Sequence, residues 1–439
     1  MFIMDVDRTL TEKDIHCLGH LRRVFPLLEQ LHDVGTCRDR AGNRELFFDD
    51  YCKLVLLYIW NPLIESVHDL QQVIGLPQVA RTLGIKRFSA GSFSESVRVF
   101  DPELLKPIVQ ELARELKPAA LDPRLTDLKQ ALTLVDGMVL PGLARLAKLA
   151  GGYDPHARLS DTRYNTAKDG RGMYGWRVHL QLDLATFHPC HLQCTGARNA
   201  GENRENNVLR ANLQAGRCYV GDGGYADRSL FDDIHAMNSS YVIRVGEHAC
   251  SVYQLIEQRS LTSAAQQAGV VQDSIVQLDG GQRHANRSAR HVIRRIEIKV
   301  PPHPRRARNA QGGFKTKLVD RIILMTNLLD LPAELVGLIY RHRYTVELFF
   351  RVFKQLLGMR HLLSQRQQGI DIQIYCTLIV CVLIQSLSGK KPNKAMRNIV
   401  GWYLIGLADA QDVIDFLNKP DNTGVKKRAK DELWKKLGY

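Results

Sequence analysis

Acidic charge is in short supply. Across 439 residues, 46 aspartates and glutamates face 60 lysines and arginines, a net charge of +14 with a pI near 9.4. Such a surplus favours a polyanionic partner, because each phosphate neutralised by a cation releases bound counterions. Charge alone also suits an ordinary basic protein, so clustering is the sharper test. Cysteine is scarce too: nine, an odd number, scattered from Cys17 to Cys381. That excludes a disulfide framework and suits a reducing compartment. Long apolar runs are missing. The longest, Ile374 to Leu387, falls short of the ~20 residues that a spanning helix needs and reads as a buried helix. The apolar start Met1–Met4 is too short for a signal peptide, with Asp5 and Asp7 directly behind it. There are no internal repeats. A hydrophobic content of 45% supplies a real core, and the length suggests two to four domains.

Apolar residues recur at three- and four-residue spacing through Tyr51–Trp60 and Leu104–Leu116, so residues 1–120 are expected to form a helical domain. Two short helical stretches, Gln78–Leu83 and Phe93–Phe100, flank Gly84–Ser89, with Ser92 and Glu95 as a capping box. The pair fits a DNA-binding helix-turn-helix or an ordinary helical hairpin. Beyond Lys117-Pro118 come strand signals at Leu132–Val135, Trp176–Leu184, His191–Thr195, Arg217–Val220 and Tyr241–Val245, with a helix at Ser229–Met237. Strands joined by short turns and then separated by helices predict a mixed α/β sheet over 121–245.

Residues 246–318 break this rhythm with Gly280-Gly281, Pro301-Pro302-His303-Pro304 and Gly312-Gly313, around an alternating segment His291–Val300. They are expected to form a β-rich insertion. From Arg287 to Lys317 the cations include Arg294, Arg295, Arg305 and Arg306, against Glu297 as the sole acid. Such one-sided charge points to a phosphate-facing surface. The core is expected to resume over 319–390, with a strand at Arg321–Asn327 and one long helix at Pro332–Leu357. A basic tail, 391–439, ends in Lys426-Lys427-Arg428 and Lys435-Lys436.

On a single helix, Tyr340, Arg343, Glu347 and Lys354 share a stripe roughly 60° wide, apart from the apolar face of Val346, Phe349, Phe353, Leu356 and Leu357. One carboxylate, two cations and a phenol on one face would hold a metal and phosphates. The segment from Tyr340 to Lys354 fits Y-(2)-R-(3)-E-(6)-K, and in this it resembles the bacterial insertion-sequence-four type of DDE transposases. The resemblance runs from about Tyr51 to Leu387. It implies two upstream aspartates on strands. Val220-Gly221-Asp222-Gly223-Gly224-Tyr225 supplies the second. Leu132-Thr133-Leu134-Val135-Asp136-Gly137 supplies the first, with Asp161 and Asp183 as fallback choices. Similar proteins often carry a basic residue after the second aspartate and Ser or Thr two positions after the first; here Gly223 and Met138 stand there.

The resemblance implies a ribonuclease-H-like core in which Asp136, Asp222 and Glu347 hold two Mg²⁺ or Mn²⁺ ions, hard cations suited to carboxylate oxygen. It assigns Tyr340, Arg343 and Lys354 to the transposon end. It further implies double-stranded DNA partners (inverted repeats and target), a homodimer in the end complex, no membrane, and a place at the bacterial nucleoid in the cytoplasm. Two other readings compete. Phe2–Leu10 looks like the first motif of haloacid-dehalogenase-type phosphatases, with Asp5 as nucleophile and Asp7 as acid/base. Gly221-Asp222-Gly223 with Asp227 mimics a late metal motif of that family, but no βα alternation follows Asp7. The other is a DNA-binding derivative that has lost catalysis. The cluster His188, Cys190, His191 and Cys194 has zinc-like density but no second ligand pair, and its segment reads as a hairpin.

Overall fold

The computed structural model describes residues 23–39, 42–61, 63–116, 118, 122–141, 153–154, 173–196, 201–246, 253–278, 289–300, 320–356, 362–364, 366–388, 394–404 and 407–418. The chain forms two compact units. One comprises Met1–Pro118, Arg145–Ala150 and Leu348–Asn422. The other comprises Ala119–Ala144, Gly151–Glu347 and Thr423–Tyr439.

The first unit is helical where described. Helix Phe48–Trp60 is buried along its whole length, and from Leu54 to Trp60 every side chain is apolar or aromatic. It packs against helix Gln367–Ser388, which also packs against Leu105–Arg114. Gln367–Ser388 is long and apolar enough to cross a membrane by length and composition, and 89% of its most apolar window is buried within the protein. Phe48 stacks on Phe100 and Tyr51 on Phe93, with centroids 4.6 and 4.4 Å apart. Asp49, Asp50 and Lys53 are buried on the same helix, with Lys53 Nζ 2.9 Å from Asp49 and 3.2 Å from Asp50. Helices Pro77–Leu83 and Ala90–Ser96 both rest on helix Val67–Ile74. The cap of Ala90–Ser96 is Ser89, which accepts from the Ser92 N–H at 2.9 Å. Ser92, expected to cap, instead donates its hydroxyl to Glu45.

Among the described residues, the second unit is built on a ten-stranded mixed sheet. Its strands are β1 (Ala131–Pro141), β2 (Tyr153–Asp154), β3 (Met173–Asp183), β4 (His188–Gly196), β5 (Arg217–Gly221), β6 (Ser240–Val245), β7 (Tyr253–Gln258), β8 (Val270–Leu278), β9 (Ile293–Val300) and β10 (Asp320–Thr326). The order is β2-β3-β1-β5-β6-β10-β9-β8-β7, with β4 also on β3. β4, β3 and β1 form an antiparallel meander. β1, β5 and β6 are mutually parallel, and the remaining pairings from β6 to β7 are antiparallel. Where described, residues 246–318 hold β7, β8 and β9, which extend the main sheet. One face is covered by helix Arg228–Ala236, whose Leu230, Phe231 and Ile234 pack on Tyr219, Tyr241 and Ile243. Helix Ala333–Arg341 packs against β5, β6 and β8.

The long helix expected over Pro332–Leu357 is two helices, Ala333–Arg341 and Tyr344–Leu356. At the junction the backbone bonds span three residues: Arg343 N–H to Tyr340, Thr345 N–H to His342 and Val346 N–H to Arg343. His342, Tyr344 and Thr345 are weak helix formers, so the tighter turn costs little there. Tyr340 is thereby separated from the helix that carries Glu347 and Lys354.

Candidate active site

Parallel pairing places Leu134 of β1 opposite Val220 of β5. Two residues further on, the same register sets Asp136 beside Asp222, both directed to one side of the sheet because side chains alternate along a strand. Asp136 is held by the N–H of Gly137, 2.8 Å from its Oδ1. Asp222 caps the short turn Gly223–Tyr225 and accepts from the Gly224 N–H at 2.8 Å. Burial first, and the Asp222 charge second, push the Asp136 carboxyl up to about 7, with Arg343 acting in the opposite direction.

Glu347 lies in the first turn of helix Tyr344–Leu356. Its carboxylate takes a hydrogen bond from Arg343, and Arg343 Nη1 is also 3.9 Å from Asp136 Oδ2. The structure therefore gathers Asp136, Asp222, Arg343 and Glu347 in one place. The Glu347 side chain remains 42% exposed. Among the described residues, the one tight ligand-like trio is His32, Asp49 and Asp50 in the other unit, so the three acids stand more openly than a closed metal cluster. Tyr340 joins them from the preceding helix. Burial raises its hydroxyl, against the nearby charges of Arg343 and Arg244. Lys354 is half-buried further along Tyr344–Leu356.

Three site residues were missed from the sequence. Arg244 of β6 follows Ile243, which pairs with Gly221, so it stands beside Asp222. It is exposed and shares a hydrogen bond with Tyr340. A cation at this place on a neighbouring strand was invisible along the chain, where Gly223 replaces the usual basic residue. Glu205, first residue of helix Glu205–Ala211, takes a hydrogen bond from Arg177 of β3. Both are largely buried, at 15% and 14% side-chain exposure. Their charges bear on the buried Tyr225 hydroxyl, which burial, Glu205, Asp136 and Asp222 together hold well above its usual range. A helix-opening glutamate reads as an ordinary N-terminal acid, so nothing in the sequence singled it out.

Arg294 and Arg295 do not face phosphate. They are 3% and 8% exposed. Arg294 forks onto Asp273 at 2.9 and 2.7 Å and donates to the Leu328 and Leu329 carbonyls at 3.1 Å. Arg295 pairs with Glu297 at 2.6 Å and lies over the Tyr253 ring. Pairing and burial in the extended sheet remove both from a DNA-facing role. Arg305, Arg306, Asp161, Asp5, Asp7 and the tail clusters Lys426-Lys427-Arg428 and Lys435-Lys436 lie outside the described residues, whereas 391–439 holds helices Lys394–Leu404 and Ala410–Asn418. Asp183 is spent on a turn, accepting from the Ala185 and Thr186 N–H groups at 3.0 Å each. Asp227 caps helix Arg228–Ala236. The His188–Cys194 segment is strand β4, and its members form no tight ligand group.

The transposase DDE domain family matches residues 129–383, a span that contains Asp136, Asp222 and Glu347. Over 257 residues the chain is 24% identical to "Putative transposase y4zB" of Sinorhizobium fredii, covering 58% of this chain and 60% of that one. Over 215 residues it is 24% identical to "Probable transposase for insertion sequence element IS5377" of Geobacillus stearothermophilus, covering 49% and 51%. The matched part thus spans between half and two thirds of these relatives. Among solved structures, a piggyBac transposase synaptic complex with hairpin DNA aligns with a TM-score of 0.42 at 11% identity, covering 95% of this chain and 86% of that one. With more than half of its length inside the family match, this chain belongs to the transposase DDE domain family.

Proposed function

We propose that the chain is a DNA transposase of the bacterial insertion-sequence-four type. In this reading Asp136, Asp222 and Glu347 hold divalent metal ions at the ends of a transposon, whose phosphodiester bonds are cut and joined to target DNA. The observation that carries it is the grouping around Arg343, which binds Glu347 and approaches Asp136 while Asp136 and Asp222 leave neighbouring parallel strands. The strand order β4-β3-β1-β5-β6, three antiparallel and then two parallel to β1, supports a ribonuclease-H-like core.

The donor set fits a hard cation. All three ligands offer carboxylate oxygen, suited to Mg²⁺ or Mn²⁺; burial first, and the Asp222 charge second, raise the Asp136 carboxyl, and a bound cation would offset both. Two such ions, when bound, activate the attacking oxygen and stabilise the leaving one. The protein's own cations grip the DNA. Arg343 and Arg244 flank the acids, and a guanidinium fork can take a phosphate through two hydrogen bonds. Tyr340, with its hydroxyl beside Arg244, and Lys354 complete the end-binding set. Arg305 and Arg306 extend it along the basic segment. The helical N-terminal residues supply further DNA binding, with Pro77–Leu83 and Ala90–Ser96 as the helix-turn-helix candidate. Two copies pair the two ends, in the bacterial cytoplasm.

Incubating the chain with DNA that carries the inverted repeats flanking its native gene tests this. Cleavage at the repeat boundary with Mg²⁺ or Mn²⁺, blocked by chelator, is expected. Tight binding of the repeats without cleavage in either metal would favour a DNA-binding derivative instead.

A further inference from the structure

Two glycines beside the proposed metal ligands make room for the same carboxylate. A Cβ on Gly137 would overlap Glu205 Oε1, and one on Gly224 would stand 3.3 Å from Glu205 Oε2. These glycines are also the ones whose N–H groups hold the acids: Gly137 donates to Asp136 Oδ1 and Gly224 to Asp222 Oδ1. Glu205 therefore lies behind both peptide units that orient the two aspartates, with one oxygen toward each. Arg177 of β3 fixes that carboxylate by a hydrogen bond to Oε1. Helix Glu205–Ala211 anchors its other end through the buried Val208 and Leu209.

We infer that Glu205 is a positioning residue: braced by Arg177, its carboxylate backs the Gly137 and Gly224 peptides and so sets the spacing of Asp136 and Asp222. The inference rests on the assignment of those aspartates as metal ligands. Groups that orient ligands in this way, when removed, typically weaken metal affinity by ~10–100-fold. A glutamine at 205 keeps an acceptor for Arg177 and nearly the same shape, whereas an alanine leaves both glycine peptides unsupported. An alanine at 137 drives a methyl group into the carboxylate from the other side.

The test is Mn²⁺ binding to the full-length chain by titration calorimetry, with unfolding midpoints recorded for every variant. Glu205→Ala and Gly137→Ala should each lower Mn²⁺ affinity by about tenfold or more. Glu205→Gln should recover most of the Glu205→Ala loss, and repeat-DNA binding should hold near wild type. Asp222→Asn is the control for the ligand assignment. Wild-type Mn²⁺ affinity in folded Glu205→Ala or Gly137→Ala, with loss in Asp222→Asn, would overturn the inference and leave the ligand set standing. Wild-type affinity in Asp222→Asn would overturn the ligand set, and the inference with it. If Glu205→Ala does not fold, Gly137→Ala decides alone.

Discussion

Arg343 lies 3.9 Å from Asp136 while its guanidinium is bonded to Glu347. In the DNA-free protein it thus offsets negative charge among the acids. DNA phosphate offers it a competing partner with the same planar geometry. Arg343→Ala should weaken binding of the repeat DNA and lower the salt slope by about one. Gel shifts over a range of salt concentrations measure this. An unchanged slope would mean that Arg343 stays with the carboxylates when DNA binds.

The Asp136 carboxyl, raised to about 7, makes a pH-dependent contribution of defined sign. Its proton is held more tightly in the folded protein than in the unfolded chain. The ionised form therefore opposes folding. That cost is absent below the unfolded value near ~4 and complete above the folded one. In chelator, Asp136→Asn should be more stable than wild type by up to a few kcal/mol at about pH 8, and nearly equal to it near pH 4. Urea unfolding at the two pH values checks this. A larger gain at the acidic end would contradict the environment assigned to Asp136.

Much of the sheet could be read directly. Alternation marked β3, apolar runs ending in Asp-Gly marked β1 and β5, and their register then brought Asp136 to Asp222. Local pattern was weaker where tertiary packing decides. The break at Arg343 carries no Pro or Gly, so the sequence pattern runs through it at an unbroken 3.6-residue period and puts Tyr340 on Glu347's helix. Arg294 and Arg295 read as phosphate contacts because charge counting is blind to a partner such as Asp273, 21 residues away in the chain. Glu205 and Arg244 reach the site across strands, which spacing along the chain does not encode.

The corrected role of Arg294 has its own consequence. Arg294→Met leaves Asp273 buried without its partner and should destabilise the protein by about 3–5 kcal/mol. Combining it with Asp273→Leu should restore much of that loss. Denaturant unfolding of the single and double variants is the check, and a salt slope of DNA binding that falls in the folded double variant would return Arg294 to the DNA surface.

Lys53 is the buried counterion of Asp49 and Asp50. Burial, followed by the Asp49 charge, already raises the Asp50 carboxyl. Lys53→Met should therefore destabilise the protein by a few kcal/mol at neutral pH, and the deficit should shrink as pH falls and the carboxyls take up protons. Thermal unfolding from about pH 7 to about pH 5 reads this. A deficit that grows toward low pH would rule out the ion-pair account.

The most direct measurement is the rate of metal-dependent cleavage at the repeat boundary, compared among wild type, Asp136→Asn, Asp222→Asn and Glu347→Gln. Repeat-DNA binding is followed in parallel. Wild type should cleave with Mg²⁺ or Mn²⁺. Each variant should lose cleavage while keeping most of its DNA affinity, because cations do most of the binding. A wild-type rate in any of the three variants would contradict the assignment of that carboxylate, and cleavage that persists in chelator would contradict metal-dependent chemistry at this site.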